Sequence, residues 1–527
     1  MNYIDIEKKV VNWYKSIPLY IKKSFLFSFI LINVAFLFHT TNFMFGDHDW
    51  LYVRGQTLWK EGTFEGRPLH FVLQSVLFSG QILPLLNNLF SFAFLAISSI
   101  MLAKYWKIKG STFNYSLFAT FIAVMPYTLV WLYYAKDALI NLSLPFIVMS
   151  ALWLSKIANK KTKLIYNALS IILLIFAFSS YVAIINMVGI CVLGAIIIDY
   201  VSQKERFISI IKKNIPIAID VIISLLIFKI IISLSSLTSS YNTKIIPLDF
   251  IGSKLIETFK VMFTQFTAIL PFMEYKYKML LVVMSLIGFI VALYRAGMKK
   301  IIPTIGLFAL VLFASKFAYF IADERGEILA EMENFAFVPR LDFYGLVYVY
   351  GLFLSFILTI DNIKLKKVCT ALAIIITFMS IVRDSYALKT WKLGFDAEMK
   401  AHERIVSRLE QKEAFMPDRK YKLFQVGSLS LRKNYYKKEL NEETGLDLLE
   451  TSFTPQYMSR IVYNFYYHKD IFYDNAVFEN LSAKGKEYLR SKAKPWPSED
   501  SIFIDGDAII IVLTDEGLLK LKRKYNI

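Results

Sequence analysis

Apolar residues in this chain come in long, nearly unbroken runs, starting near Ser24, Leu83, Thr112, Ala138, Leu164, Val182, Ile215, Met279, Ile301, Leu341 and Val368. Runs of about 16 to 22 residues suit an α-helix that crosses hydrocarbon, so the pattern predicts about eleven transmembrane helices. A β-barrel would instead alternate apolar and polar residues in segments of about ten. The first run follows Lys8, Lys9, Lys15, Lys22 and Lys23 and has no small-residue cleavage signal after it, so it reads as an uncleaved span. An odd number of spans puts the two termini on opposite sides.

Beyond the last run the pattern changes. Residues 1–382 read as the transmembrane domain and residues 383–527 as a small soluble α/β domain, because charges of both signs intersperse there and no membrane-length run appears. Asp396 to Lys412 predicts a helix with Asp396 as N-cap and Met399, Ile405 and Leu409 on its apolar face. Tyr421 to Val426 and Ser501 to Leu513 predict strands, the second broken by the favoured turn pair Asp505-Gly506. The fold class is therefore an α-helical polytopic membrane protein with a C-terminal α/β domain.

Composition agrees, with 56% hydrophobic residues and a mean hydropathy of +0.48. A net charge of +18 raises the question of nucleic acid, but the cations fall in short clusters between apolar runs rather than in one stripe. Lys104, Lys107 and Lys109; Lys156, Lys160, Lys161 and Lys163; Lys204, Arg206, Lys212 and Lys213; Arg295, Lys299 and Lys300; and Lys364, Lys366 and Lys367 occupy every second loop. Basic loops resist translocation, so the N-terminus is expected in the cytoplasm and the C-terminal domain outside. The alternate loops are mixed or acidic, notably 39–81 and 323–340. Cys191 and Cys369, the only cysteines, lie in apolar runs and suggest no disulfide.

The candidate chemistry lies in the first outward loop. Asp47, His48 and Asp49 follow directly on the first span, where a carboxylate meets the headgroup of a lipid-linked substrate and can serve a hydroxyl acceptor as general base. Asp49 also suits the N-cap of a helix over Trp50 to Leu58. Arg54 and the run Gly66-Arg67-Pro68-Leu69-His70 bring cations to the same side. Arginine grips phosphate with two donors, although Arg54 or Arg67 could equally pair with Glu61 or Glu65. Lys136 and Asp137 interrupt an apolar stretch in the second outward loop, and Arg340 follows Pro339 at the tenth span. Each is a pocket candidate, with an interfacial ion pair or anchor as the plainer explanation.

These residues resemble a known family. Phe45-Gly46-Asp47-His48-Asp49-Trp50, Trp59, Gly66-Arg67-Pro68-Leu69 and Leu83-Pro84-Leu85 look like the first outer loop of the bacterial type-II glucosyltransferases of O-antigen glucosylation systems, which are GT-C-class enzymes. Pro126-Tyr127 with Asp137, Ser180-Tyr181-Val182-Ala183 with Asn186, and Trp391 with Asp396 extend the likeness over about three quarters of the chain. The family often has two adjacent Asp with an Arg soon after; here His48 separates them and Arg54 comes later, so both Asp47 and Asp49 remain candidates for the base. The resemblance implies a donor such as undecaprenyl-phosphate glucose, an acceptor glycan such as lipopolysaccharide O-antigen, and inversion at the anomeric carbon. It also implies a site in the bacterial cytoplasmic membrane, no direct nucleotide-sugar binding and no obligatory cofactor, though Asp47 and Asp49 could ligate a divalent cation.

A secondary transporter, a glycan polymerase and a non-catalytic scaffold are the competing classes. Transporters favour internal repeats, broken helices and midplane charges. Here the distinctive charges cluster at the outer boundary, and Lys229 and Lys316, within apolar runs, are expected to snorkel. The C-terminal domain has no Gly-rich phosphate loop or Cys/His metal spacing, so it is expected to orient the acceptor or cover the site.

Overall fold

In the computed structural model of the chain, the described residues are 8, 11–12, 14–42, 44, 76, 83–133, 135–158, 162–202, 206–234, 248–267, 275–321, 339–427, 460, 462–464, 466–467 and 469–527. They fall into two compact units, one running to Ser385 and a second built mainly from residues 386–527.

All eleven apolar runs are helical. The first unit holds α1 (Leu19–Thr41), α2 (Pro84–Tyr105), α3 (Thr112–Ala123), α4 (Tyr127–Tyr133), α5 (Ala135–Ile157), α6 (Lys163–Ser180), α7 (Ile185–Ser202) and α8 (Phe207–Leu234). It continues with α9 (Ile251–Thr267), α10 (Tyr275–Ala296), α11 (Ile301–Ala314), α12 (Phe317–Ile321), α13 (Pro339–Tyr344), α14 (Leu346–Leu358) and the start of α15 (Ile363–Glu410). Among the described residues, nine helical segments are long and apolar enough to cross a membrane. The two runs that fall short, α3 and α11, are interrupted and resume as α4 and α12.

The bundle is organised around α14, every residue of which is buried. No hydrophobic force distinguishes lipid from another apolar helix, so close packing has to hold such helices together, and small residues permit it. Gly288 of α10 lies so near α14 that a Cβ there would come within 2.5 Å of the Phe353 carbonyl oxygen. Phe308 of α11 stacks on Phe353 at 5.5 Å, which ties a third helix to this seam. Some hydroxyls inside the spans return to carbonyls of their own helix, as Ser28 does to Ser24 at 2.7 Å and Ser91 to Asn87 at 2.6 Å.

One end of the bundle is basic. Lys107 pairs with Asp199 at 2.5 Å, Lys300 donates to the Tyr200 carbonyl at 2.7 Å, and Arg295 donates to Thr359 Oγ1 at 2.7 Å and to Asp361 at 3.0 Å. The cationic loops singled out in the sequence that fall among the described residues meet at this end.

The second unit contains the distal part of α15, then β1 (Tyr421–Val426), β2 (Phe472–Asn475), α16 (Ala483–Glu487), β3 (Ile502–Asp505), β4 (Ala508–Val512) and α17 (Asp515–Tyr525). The sheet order is β2-β1-β4-β3, with β1 parallel to both neighbours and β3-β4 a hairpin. Gly506 takes a φ of 64° at that turn, a left-handed conformation that glycine adopts without strain. Alternate residues supply two cores. Tyr421, Leu423, Ile509 and Ile511 pack with Ile405 and Leu409 on one face, whereas Phe424, Val426, Ile510 and Val512 pack with Leu489 and Leu518 on the other. A sheet covered on both faces explains why β4 reads as a continuous apolar strand.

Asp396 departs from its predicted role. It does not cap a new helix, because α15 continues without a break from Ile363 to Glu410, and its carboxylate pairs with Lys392 one turn earlier. Helical propensity persists across the change from apolar to mixed sequence, so the composition boundary is not an element boundary.

The seam at Gly288 gives a stability test. Gly288→Leu should force α10 and α14 apart at a cost of about 1–3 kcal/mol, seen as a lower melting temperature of the detergent-solubilised protein. Unchanged melting would contradict the close approach.

Candidate active site

Helix interruptions cluster at the end of the bundle away from the basic loops. The unbroken stretches that rise from the basic end hold 12 residues in α3, 14 in α11 and 13 in α14. At about 1.5 Å per residue the breaks lie roughly 20 Å up, within a hydrocarbon layer of about 30 Å. Non-helical backbone survives at such depth only where protein groups satisfy it.

Those partners are present. Asn186, at the start of α7, donates from Nδ2 to the Ser315 carbonyl at 2.9 Å and accepts from the Ala318 N–H at 2.8 Å, so one amide bridges the gap between α11 and α12. Gly345 separates α13 from α14, and a Cβ there would come within 2.5 Å of the same Ser315 oxygen. Thr128 Oγ1 donates to Ala123 O at 2.8 Å across the Met125-Pro126 break. Tyr344 donates to the Asn141 carbonyl at 2.8 Å. The rings of Trp131, Tyr181 and Tyr344 form a closed aromatic group with centroids 5.1, 5.8 and 5.6 Å apart. Three interruptions thus meet as one unit.

Charges gather at this junction. Lys316, in the α11–α12 break, forms an ion pair with Asp342 of α13, and both side chains are almost wholly buried. Lys278 of α10 donates to Tyr350 OH at 3.2 Å and interacts electrostatically with Asp342. Tyr277 OH and Ser380 Oγ lie 2.5 Å apart. One turn beyond Ser380, Asp384 is fully buried, and neither of its oxygens finds a hydrogen-bond donor among the described residues. Nearby, Glu257 of α9 accepts from Tyr319 of α12 while Lys254 lies 3.8 Å from that ring. Intramembrane ionisable groups are costly, so two cations and two carboxylates in one buried region mark a candidate site.

The residues proposed from sequence stand as follows. Asp47, His48, Asp49, Arg54, Arg67 and His70 lie outside the described residues. The backbones of Lys136 and Asp137 belong to the first turn of α5, and that of Arg340 to α13, but their side chains are not described. The anchors of the first loop are clear: Asn88 donates to His39 Nδ1 at 3.0 Å and reaches Thr40 Oγ1 at 3.4 Å. This buried clamp joins the end of α1 to the start of α2, so the segment 42–83 leaves and returns at the interrupted end.

Lys316 corrects an expectation. It does not snorkel, because α11 stops at Ala314 and turns the side chain inward onto Asp342. Lys229 is exposed on α8. Asp342, Lys278 and Asp384 were not anticipated: Asp342 sits within the apolar start of the tenth run, and Asp384 follows Arg383, where the pair reads as the exit from the membrane. The available signal was a lone acid three residues after Pro339.

The fold and this buried junction define a polytopic helical membrane protein with an ionic site at one end. The family described as Glucosyl transferase GtrII matches residues 38–330, more than half of the chain, and the protein belongs to it. No curated protein and no solved structure gives a match. Membership makes the chain a transferase of glucosyl groups, with a sugar donor and a glycan acceptor. The matched region includes the whole first loop, α4, the Asn186 bridge and Lys316.

The ion pair can be tested by a cycle. Lys316→Met alone strips the buried Asp342 carboxylate of its ion-pair partner and should cost about 3–5 kcal/mol, whereas adding Asp342→Leu should recover most of that loss. Thermal melting of the purified variants checks it; a double variant no more stable than the single one would refute the pairing.

Proposed function

We propose that this protein transfers a glucosyl group from a polyprenyl-phosphate carrier, of the undecaprenyl phosphate kind, to a surface glycan such as O-antigen. The observation that carries this reading is the meeting, at one end of the bundle, of the buried ionic cluster with both anchors of the 42–83 segment. Positive loops resist translocation, so the basic end is cytoplasmic and the ionic end faces outward in the bacterial cytoplasmic membrane. Residues 383–527 then lie outside, where they orient the acceptor or cover the site. A lipid-borne donor reaches an outward site; a cytoplasmic nucleotide sugar does not.

The reaction is a single displacement. Asp47 or Asp49 takes the acceptor hydroxyl proton, the oxygen attacks C1 of glucose from the face opposite the phosphate, and the C1–O bond breaks with its electrons passing to the phosphate. Inversion follows. Stabilising charge on the leaving group is commonly the largest catalytic effect, and Arg54, Arg67 and Arg340 are its candidates. The Lys316–Asp342 pair fixes α13, which carries Arg340. His48, His70, Lys136 and Asp137 complete the proposed substrate pocket, and no metal-dependent step is required. Interrupted helices also occur in secondary transporters, but membership in a glucosyl transferase family favours group transfer.

Purified Asp47→Asn and Asp49→Asn variants, checked for normal insertion, should separate base from cap when initial transfer rates are measured. Loss of the base removes about 10² to 10⁴ in rate, whereas loss of a cap costs about 1 kcal/mol of stability. Near-normal rates in both variants would sink the catalytic assignment. Orientation is tested with Ser428→Cys, which should react with an impermeant thiol reagent in intact spheroplasts; reaction only after permeabilisation would reverse the topology.

A further inference from the structure

The basic end holds a cleft of about 460 Å³ that the transfer reaction does not use. It opens where five segments converge: the turn after α2, the ends of α7, α10 and α14, and the start of α15. Trp106 forms part of its wall and is fixed by donating from Nε1 to the Cys191 carbonyl at 3.0 Å. Lys107, Lys109, Arg295 and Lys366 line it, with Asp361 as the one carboxylate of the lining among the described residues.

The charges do not cancel. Lys107 is matched by Asp199 and Arg295 by Asp361, which leaves four cations against two carboxylates. The ammonium groups of Lys109 and Lys366 have neither an ion pair nor a hydrogen bond among the described residues. Arg295 is held in a set orientation by the Thr359 hydroxyl and carbonyl, so part of its fork is already committed. The α15 N-terminus is committed as well, because Asn362 Oδ1 accepts from the Lys364 and Leu365 N–H groups. Any anion recognition therefore falls to the two unmatched lysines, with the Arg295 and Lys107 pairs beside them.

The surroundings select the kind of anion. Ile363, in the lining, is 69% exposed. Tyr294, beside Arg295, is 86% exposed. A ligand here has a polar cleft for its head and an apolar surface for its remainder. We propose that this cleft binds the phosphate of an anionic membrane phospholipid, a site separate from the transfer centre and independent of the reading given for it. Cytoplasmic-side basic pockets between spans suit such headgroups, and the partly enclosed setting strengthens each contact.

The test uses full-length protein in detergent, with lipid retention measured by native mass spectrometry. Phosphatidylglycerol is the probe, phosphatidylcholine its zwitterionic counterpart, and inorganic phosphate the soluble competitor. Lys109→Gln with Lys366→Gln should weaken phosphatidylglycerol retention roughly tenfold, while Lys109→Arg with Lys366→Arg should keep it. Lys163→Gln with Lys212→Gln removes equal charge from exposed positions of the same end, outside the cleft, and should change little. Displacement of the lipid by millimolar phosphate, sensitive to the same Gln pair, would keep the phosphate site but assign it to a soluble ligand. Equal retention of both lipids, or equal loss in the two Gln pairs, would overturn the proposal.

Discussion

Asn186 makes two hydrogen bonds on which the interrupted end of the bundle depends. Inside hydrocarbon a carbonyl without a partner costs several kcal/mol, and the α11–α12 break would otherwise leave one at Ser315 and an unpaired N–H at Ala318. With those groups satisfied, the chain can turn at Ser315 and point Lys316 inward. That turn is what brings Lys316 to Asp342, and Gly345 is what lets α13 approach closely enough for the pair to form. The inward turn that carries Lys316 to its partner thus rests on one amide side chain. Close approach plays the same part lower down, where Gly288 seats α10 against the buried α14.

The architecture was largely legible in the sequence because the hydrocarbon imposes length and polarity on every span at once. Each of the eleven predicted runs is a helix, and β1 spans Tyr421–Val426 as expected. The Asp505-Gly506 turn is equally local and was read correctly. What local pattern did not reveal was interruption. Ser315-Lys316 and Gly345 sit in sequences apolar enough to pass as continuous helix, and their breaks are stabilised by residues far along the chain. The α9 helix was missed for a related reason: its apolar stripe is mixed with Lys254, Glu257 and Lys260, too polar for the span criterion.

The site was legible in part. Position next to a span boundary pointed to the first loop and to Lys136, Asp137 and Arg340, and the His39–Asn88 clamp brings that loop's anchors to the ionic end. Asp342, Lys278 and Asp384 escaped notice because a single charge inside an apolar run has two readings, a lipid-facing side chain that reaches for water or a buried group with a partner. Only the partner decides between them. For Lys316 the partner lies across the α12–α13 connection, a relation no local window contains.

The order of strands in the second unit bears on how the chain is made. Strand β1 lies between β2 and β4, both of which follow it by long stretches of sequence, while β3 and β4 are joined by a tight turn. As the polypeptide emerges from the ribosome, β1 is made before either neighbour, and its apolar residues on both faces wait uncovered. The hairpin β3–β4 forms from local contacts, and only then can the central pairing close; non-local pairing of this kind is slow and leaves strand edges open to aggregation in the interval. Closure of this sheet therefore waits on β4, and a nascent chain released before Val512 carries a β1 that lacks one of its two partners.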